Sequence, residues 1–377
     1  MLRYTGEVPD WDRARVDQEN RVRKVIESNP SEADQLDAIA KIRGWYDPCN
    51  EENAVLSKYM AGCLSLEAAI NMLAEPIDHL YTTANDGRLF YTAEMVARSQ
   101  RHMYDTVKAE ELWGLEQDFP ISDEIGTPSV EGKLWCLWFA VCHTARKTPW
   151  ADEGKQMKLV DFARQIKQRP DPPPPQNMTI PLKRDWQYSS GTLWSTLSML
   201  GPSARETWND APGYGAGFSS PELNGANNIN AFIARLSLHG VANFWRYGVW
   251  ALDGGLAVDP REDHRGTSAE KLNAYIPTAV VWIRIAGQAI WEKIVREDFD
   301  SEKRYDANRV LAPQQASPQH EQTYTRARWR YWRDRYDIMS GRDQLAEETR
   351  KLCAEAALLM KDIEKPPEQG QGAKEEA

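Results

Sequence analysis

Residues 224–255 constrain the fold more than any other part of the chain. Their sequence is NGANNINAFIARLSLHGVANFWRYGVWALDGG. The apolar side chains of the first part share one face of a helical wheel: Ile229, Phe232, Ile233 and Leu236. Gly240 favours a helix end, because glycine adopts the left-handed conformation at little cost. A second helix from 241 to 252 is apolar almost all round, which is typical of burial on several sides. The stretch predicts two buried helices, here called the hub.

Helical periodicity recurs along the rest of the chain. The predicted helices include 10–28, 31–45, 51–75, 76–84, 87–111, 130–148, 151–168, 185–200, 278–296, 321–338 and 343–363. Prolines at 76 and 277 are expected to interrupt helices, and the Asp253-Gly254-Gly255 sequence is expected to end the second hub helix. Residues 212–225 and 298–318 are predicted loops. No train of alternating strands and no fixed-period repeat occurs, so we predict an all-α, irregular multi-helix bundle of ten or more helices.

A proline-rich segment separates two helical halves. The sequence RPDPPPPQNMTIP at 169–181 is expected to be stiff, because consecutive prolines adopt polyproline geometry and cannot join a helix. A chain of 377 residues also exceeds the size at which one core keeps growing. The predicted organisation is an N-terminal helical half (1–168), a Pro-rich connector (169–182), a C-terminal helical half (183–363) and a disordered tail (364–377).

Charge and cysteine content indicate the compartment and exclude some partners. The net charge of −10 opposes binding to nucleic acid or to an anionic membrane. Five cysteines without a C-x-x-C pair, and an N-terminus without an apolar segment, favour an intracellular, cytoplasmic protein. No apolar run reaches membrane-spanning length. The arginines among the aromatic residues of 321–338 resemble a nucleic-acid-binding element, but the acidic total favours an amphipathic helix whose arginines lie at its margins.

The sequence contains no strong catalytic or cofactor-binding motif. A phosphate-binding loop, a dinucleotide-binding fingerprint, an H-E-x-x-H metal motif and a nucleophile elbow are all absent. We therefore predict no metal and no cofactor. The six histidines include no i, i+4 pair on a helix, and each alone is typical of a surface or hydrogen-bonded core residue. His239 stands out because Arg235 lies one helical turn before it.

Fifteen tryptophans allow two interpretations. Large residues can simply bury large helical faces, or aromatic walls can line a ligand pocket. Under the second interpretation, polar groups within the hub and in the helix at 278–296 would be held inward and would bind a small apolar or partly anionic ligand. The candidate pocket residues are Asn228, Asn230, Arg235, His239, Arg246, Tyr247, Trp250 and Arg284.

Three segments in consistent order resemble one family. They are 193–212, 227–252 and 326–364, and they carry an N-x-N-A-F-x-A-R-L pattern, a W-A-L helix and an R-W-x-x-W-x-x-R pattern. These segments resemble a domain-of-unknown-function family (number 3632) of filamentous-fungal proteins. The resemblance implies an intracellular, helical fungal protein and supplies no catalytic residues.

Two functional hypotheses follow from these observations. The first is a small-molecule-binding, cofactor-independent protein of fungal secondary metabolism; as an enzyme, it would be a cyclase or isomerase. The aromatic content and the arginines within apolar helices favour it. The second is a non-enzymatic helical interaction or regulatory protein, which the absence of strong catalytic motifs favours.

Overall fold

The computed structural model describes residues 13–28, 30–83, 129–173, 192–296 and 324–365. Over these residues the chain forms twelve helices and no β-strand beyond two isolated bridges. The helices are α1 (Arg13–Glu27), α2 (Glu32–Arg43), α3 (Glu51–Met60), α4 (Leu66–Thr82), α5 (Val130–Lys147), α6 (Glu153–Lys167), α7 (Leu200–Asn209), α8 (Ser220–Leu238), α9 (Trp245–Leu256), α10 (Ser268–Arg296), α11 (Arg326–Ser340) and α12 (Glu347–Ile363). The predicted all-α fold with ten or more helices is confirmed.

The chain divides into two compact units. The N-terminal unit contains residues 20–211, and the C-terminal unit contains residues 1–19 and 212–377. The units divide later than the predicted Pro-rich connector, because residues 192–209 pack within the N-terminal unit. There the indole N–H of Trp138 donates to the Ser198 carbonyl at 2.7 Å. The predicted connector and tail lie mostly outside the described residues and stay predictions, as do the halves drawn around them.

Helix α5 is the centre of the N-terminal unit. It packs against α2, α3, α4, α6 and α7. Side chains around most of its circumference are buried, including Leu134, Trp138 and Val141. Ser129 caps its first turn by accepting a hydrogen bond from the Gly132 N–H at 3.0 Å. A helix that is apolar on most sides is stable only when neighbouring helices cover it, so α5 organises this unit.

The hub lies in the C-terminal unit, as α8 and α9. Every residue of α8 from 225 to 237 is buried, and α10 packs against α8, α9 and α12. The helix begins earlier than predicted. Ser219 and Glu222 form a capping box, in which the Ser219 hydroxyl donates to the Glu222 carboxylate at 2.7 Å. Residues 220–225, predicted as loop, are therefore helical, because the box satisfies amide groups in the first turn.

The second hub helix is shifted along the sequence from the predicted 241–252. Gly240 ends α8 in the left-handed conformation as expected, with φ of 66°. The next residues turn rather than continue, since the Val241 N–H donates to the Leu236 carbonyl and the Phe244 N–H donates to the Ser237 hydroxyl, both at 2.9 Å. Helix α9 then runs through Asp253-Gly254-Gly255 instead of ending there. Gly255 permits this run, because a Cβ there would lie 3.2 Å from the Ala279 Cβ on α10.

Four further features of the helices differ from the sequence predictions. Pro76 and Pro277 lie inside α4 and α10 and do not interrupt them. Buried neighbours such as Leu73 and Ile77 offset the hydrogen bond that proline cannot make. The predicted helix 51–75 is instead broken between α3 and α4, where Gly62 is left-handed with φ of 78°. Residues 192–199, the described part of the predicted helix 185–200, form turns.

Some predictions fall on residues that the structure does not describe. These are the helix at 87–111 and the loop at 298–318. Among the helices of the described ranges, none combines the length and the apolar character needed to cross a membrane.

The close approach of α9 to α10 depends on Gly248, which suggests a test. A Cβ at this position would lie 2.1 Å from the Tyr324 hydroxyl and 2.6 Å from the Trp282 ring. Both of these aromatic side chains are buried, so neither can move aside without a rearrangement of the core. We expect Gly248→Ala to lower the free energy of unfolding by about 2–3 kcal/mol, as overpacking of a core does. Urea denaturation followed by circular dichroism measures this change.

Gly254→Ala provides the matched control in the same helix. A Cβ at Gly254 meets no atom within 4 Å, and the residue is exposed. Alanine is favoured over glycine in a helix interior by about 1 kcal/mol, so this variant should be unchanged or more stable. Equal destabilisation by the two substitutions would contradict the packing described for Gly248.

Candidate functional site

The polar groups of α8 are parts of helix packing. The Asn230 side chain accepts a hydrogen bond from the Trp282 indole N–H at 2.9 Å and donates to the Ala226 carbonyl at 2.9 Å. Its neighbour Asn227 accepts from the Thr278 hydroxyl at 2.8 Å. Both amides therefore join α8 to α10. Asn228 and Arg235 are also buried on α8, as the hub prediction expected.

Three of the predicted pocket residues lie on the outside instead. His239, Arg246 and Arg284 are exposed, so the expectation that these groups are held inward is wrong. Arg246 lies on the side of α9 opposite its buried residues, and its guanidinium sits 5.9 Å from the Trp250 ring centroid. Arg284, on the outer face of α10, forms an ion pair with Glu355 of α12.

The structure brings three of the eight predicted residues together at the start of α9. The Tyr247 and Trp250 rings are 5.2 Å apart in an edge-to-face arrangement, and Arg246 contacts the same indole. Phe244 extends this cluster, with its ring 5.4 Å from that of Tyr247. The space between α9 and α10 is filled by Trp282 and Tyr324 against Gly248. The contact between these two helices is therefore closed at Gly248.

A cleft of about 220 Å³ opens beside the first residue of α9. It is lined by Trp245 and by residues of the last turns of α10: Ala289, Glu292, Lys293 and Arg296. The Trp245 ring is half-buried and meets the Tyr324 ring edge-to-face at 6.5 Å. Its indole N–H has no hydrogen-bond partner among the described residues. The sequence prediction missed the α10 residues, although the basic end of an apolar helix was visible.

A polar cluster surrounds the end of α5 in the N-terminal unit. The His143 imidazole is buried, and its Nε2 lies 2.6 Å from the Asp37 carboxylate on α2. The Lys147 ammonium lies 2.8 Å from the same carboxylate. The Tyr46 ring centroid is 5.0 Å from that of His143, and the His143 Nδ1 has no hydrogen-bond partner. We call Asp37, Tyr46, His143 and Lys147 the His143 cluster.

Arg146 extends this polar network to α7. It is only 4% exposed, and it donates to the Thr207 carbonyl at 2.7 Å and to the Asp210 carboxylate at 3.3 Å. Its guanidinium also lies 4.3 Å from the centroid of the Trp45 ring. The sequence prediction treated His143 as an ordinary core histidine. The spacing of His143, Arg146 and Lys147 in the last turns of one helix was the available signal, since cations are favoured there.

Two groups in this network have pKa values shifted in opposite directions. Burial lowers the pKa of His143 to about 4, although the hydrogen bond to Asp37 raises it. Burial raises the pKa of Asp210 to about 6, although Arg146 lowers it. Burial alone would also raise the pKa of Asp37, but hydrogen bonds from His143 and Lys147 outweigh that effect and lower it. The resting state is therefore a neutral imidazole between a carboxylate and two cations.

These opposed shifts predict the pH dependence of stability. The unfolded chain protonates His143 near pH 6.5, before the folded protein does, so acidification towards pH 4 lowers the free energy of unfolding. The folded protein protonates Asp210 near pH 6, before the unfolded chain does near 3.8, so acidification has the opposite effect there. When the pH falls from 7 to 5, we expect the free energy of unfolding to rise by about 1 kcal/mol in His143→Gln. In Asp210→Asn it should fall by about 2 kcal/mol.

Urea denaturation at the two pH values measures these slopes. The free energy of unfolding of the unsubstituted protein should change by less than about 1 kcal/mol, because the contributions of His143 and Asp210 largely cancel. Each variant serves as the control for the other, and only the change with pH counts, because either substitution also alters stability at every pH. Parallel slopes in the two variants would show that one of the assigned shifts is wrong.

Other chemistry has less support in the described residues. Over those ranges, no group of three or more His, Cys, Asp or Glu side chains is arranged to hold a metal ion. The arginines of α11 are largely engaged within the C-terminal unit. Arg328 pairs with Asp253 at 2.5 Å, Arg333 with Glu364 at 2.6 Å and Arg335 with Asp259 at 2.7 Å.

Comparison with known proteins identifies the family. A family model described as "Protein of unknown function (DUF3632)" matches residues 138–336, just over half of the chain. The match includes part of α5, the hub and most of α11. No curated protein and no solved structure matches the chain. The protein therefore belongs to the DUF3632 family.

Proposed function

We propose that this protein binds a small molecule, and that the ligand occupies the cleft beside Trp245 rather than the interior of the hub. The observation that carries the proposal is a half-buried indole beside two cationic side chains in a concave surface, whose N–H has no partner within the described parts of the chain. The filled space over Gly248 argues against the predicted interior pocket. The proposed ligand is still the apolar, partly anionic molecule expected from the sequence, but its binding site is the cleft beside Trp245.

The apolar part of such a ligand would lie against Trp245. An indole face offers a large flat surface, and its N–H can donate one directed hydrogen bond. The buried tryptophans of this unit use that donor internally, as Trp282 does towards Asn230 and Trp332 towards Asp253. Trp245 differs from them: within the described ranges its indole N–H has no acceptor, and its carbonyl accepts from the Tyr324 hydroxyl at 2.7 Å. The tether fixes the backbone and leaves the indole donor available.

The charges of the cleft favour a monoanionic ligand. Lys293 and Arg296 lie on consecutive turns of α10, and Glu292 lies beside them. Glu292 accepts a hydrogen bond from Gln288 at 2.9 Å, which directs part of that carboxylate along the helix. The three side chains carry one net positive charge. A carboxylate attached to an aromatic ring complements this arrangement, because the ring and the charge then have separate partners.

The more specific proposal, a cofactor-independent cyclase or isomerase of fungal secondary metabolism, has less support. Such a reaction needs polar groups fixed around an enclosed substrate. In the hub, Asn227 and Asn230 are engaged in helix packing, and Arg246 and Arg284 lie outside. Reversible binding without chemistry requires only the cleft. We therefore favour a binding protein over an enzyme.

Calorimetric titration with 2-naphthoate tests this proposal, with 2-naphthamide as the neutral analogue. We expect the acid to bind more tightly than the amide. Trp245→Leu, and Lys293→Gln combined with Arg296→Gln, should each weaken binding of the acid by about fivefold or more. One stacked ring, or two solvent-accessible charges, contributes on the order of 1 kcal/mol. The charge variant should leave binding of the amide almost unchanged.

Lys351→Gln is the matched charge control, because Lys351 lies on the exposed face of α12 and pairs with Glu347. It should bind 2-naphthoate as the unsubstituted protein does. Circular dichroism verifies that each variant is folded. The proposal fails if neither probe binds at millimolar concentration, or if Trp245→Leu binds the acid unchanged.

A second candidate, a helical interaction or regulatory protein, is favoured by one surface. Ile338 on α11 and Leu358 on α12 are 58% and 60% exposed. An ion pair between Asp337 and Lys361 at 2.6 Å joins these two helices nearby. Exposed apolar side chains of this size often mark contact surfaces. Sedimentation of the protein and of Ile338→Asp combined with Leu358→Asp, over a range of concentrations, tests whether this surface mediates self-association.

A further inference from the structure

The His143 cluster has no part in ligand binding at the cleft, and its geometry points to a separate role. We propose that His143 is a proton-controlled latch: as a neutral base it holds α2 and the Trp45–Tyr46 turn against the end of α5, and protonation loosens that attachment. The inference concerns the N-terminal unit alone, so it stands or falls independently of the proposed function.

The latch involves three elements: α2, the turn that follows it, and α5. The Asp37 carboxylate joins α2 to α5, and ring contacts attach the turn. Asp37 projects from α2 and receives the His143 imidazole at 2.6 Å and the Lys147 ammonium at 2.8 Å, both from α5. The turn after α2 starts at Gly44, which is left-handed with φ of 73°. It places Trp45 over the Arg146 guanidinium and Tyr46 against the imidazole. The turn therefore packs against the same part of α5 that Asp37 contacts.

The surroundings of His143 favour its neutral form. With Nε2–H donating to Asp37, Nδ1 carries a lone pair and has no partner in the described part of the chain. Protonation would convert Nδ1 into a buried donor without an acceptor, which is costly in a protein interior. Protonation would also place a third positive charge beside Arg146 and Lys147. The Asp37 carboxylate would then face both the imidazolium and the Lys147 ammonium. The neutral ring therefore fits the site, and the charged ring fits only if the site opens.

Other charges around the latch are already engaged. On α3, Glu52 pairs with Lys133 at 3.2 Å. In the turn, Asp47 lies 3.5 Å from Lys41. On α7, Asp210 faces Arg146, and Glu206 acts on Asp210. Among these, Asp210 is the group that takes up a proton near the same pH, and its protonation would leave Arg146 with one counter-charge fewer.

Loosening need not unfold the unit. Helix α2 also buries Leu36, Ile39 and Ala40, which continue to hold it on the core. Loss of the Asp37 attachment therefore raises the population of a locally opened state, and the rest of the helix packing remains. The device would convert a fall in pH into exposure of α2 and of the Trp45–Tyr46 turn.

Hydrogen exchange at pH 8 and pH 5, corrected for intrinsic exchange rates, tests the latch. If the open state has the ordinary histidine pKa of 6.5 and the closed state a pKa of about 4, protection of α2 should fall by about 30-fold at pH 5. In His143→Gln the amide nitrogen can still donate to Asp37 and does not titrate, so protection should fall by less than about threefold. His79→Gln, an exposed histidine of the same unit, should behave as the unsubstituted protein.

Asp210→Asn distinguishes the two titrating groups. Acidification stabilises the closed state through Asp210, so this variant should retain or deepen the fall in protection. Disappearance of the fall in Asp210→Asn would overturn the latch. Equal loss of protection in His143→Gln and the unsubstituted protein would overturn it as well. A direct measurement covers the case in which His143→Gln does not fold: carbon-13 NMR of the histidine rings in the unsubstituted protein. A His143 ring that titrates near pH 6.5 while α2 stays protected contradicts the proposal.

Discussion

The contact between α9 and α10 across glycine fixes the arrangement of the C-terminal unit. Gly248 and Gly255 lie two helical turns apart on the face of α9 that meets α10. Because α9 has no side chain there, the Trp282 ring of α10 fits against it and donates to Asn230 of α8. The Tyr324 hydroxyl donates to the Trp245 carbonyl of α9. Three helices and the segment before α11 are thereby held at one point. The same closeness leaves no room for a ligand between α9 and α10 at Gly248.

The abundant tryptophans have a structural explanation in both units. Trp138, Trp194, Trp282, Trp329 and Trp332 are fully buried. Each donates its indole N–H to a carbonyl or side-chain oxygen: Ser198, Asp78, Asn230, Glu364 and Asp253 respectively. A buried indole thus joins two elements by packing and by one directed bond. The half-buried Trp245 departs from this pattern, because its indole N–H has no partner among the residues that the structure describes, and it lines the cleft.

Sequence reasoning predicted the fold class and the buried face of α8, because both follow from local periodicity. It failed where tertiary contacts override local preference. Gly255 appeared to be a helix end and proved to be a contact point, and Pro277 continued a helix whose burial offsets the missing bond. The candidate site failed for a related reason. Arg246 and Arg284 belong to apolar helices, but the side on which each lies depends on the neighbours that cover the other side. The pairing of Asp37 with His143 joins distant parts of the chain and left no local pattern.

The segment matched by the family model contains only part of the His143 cluster. It begins within α5, so it includes His143, Arg146 and Lys147 but not Asp37 or Trp45. The base and its accompanying cations are thus inside the shared region, and the acid that orients the base is outside it. The attachment of α2 and of the Trp45–Tyr46 turn to α5 therefore joins sequence outside the matched segment to sequence inside it.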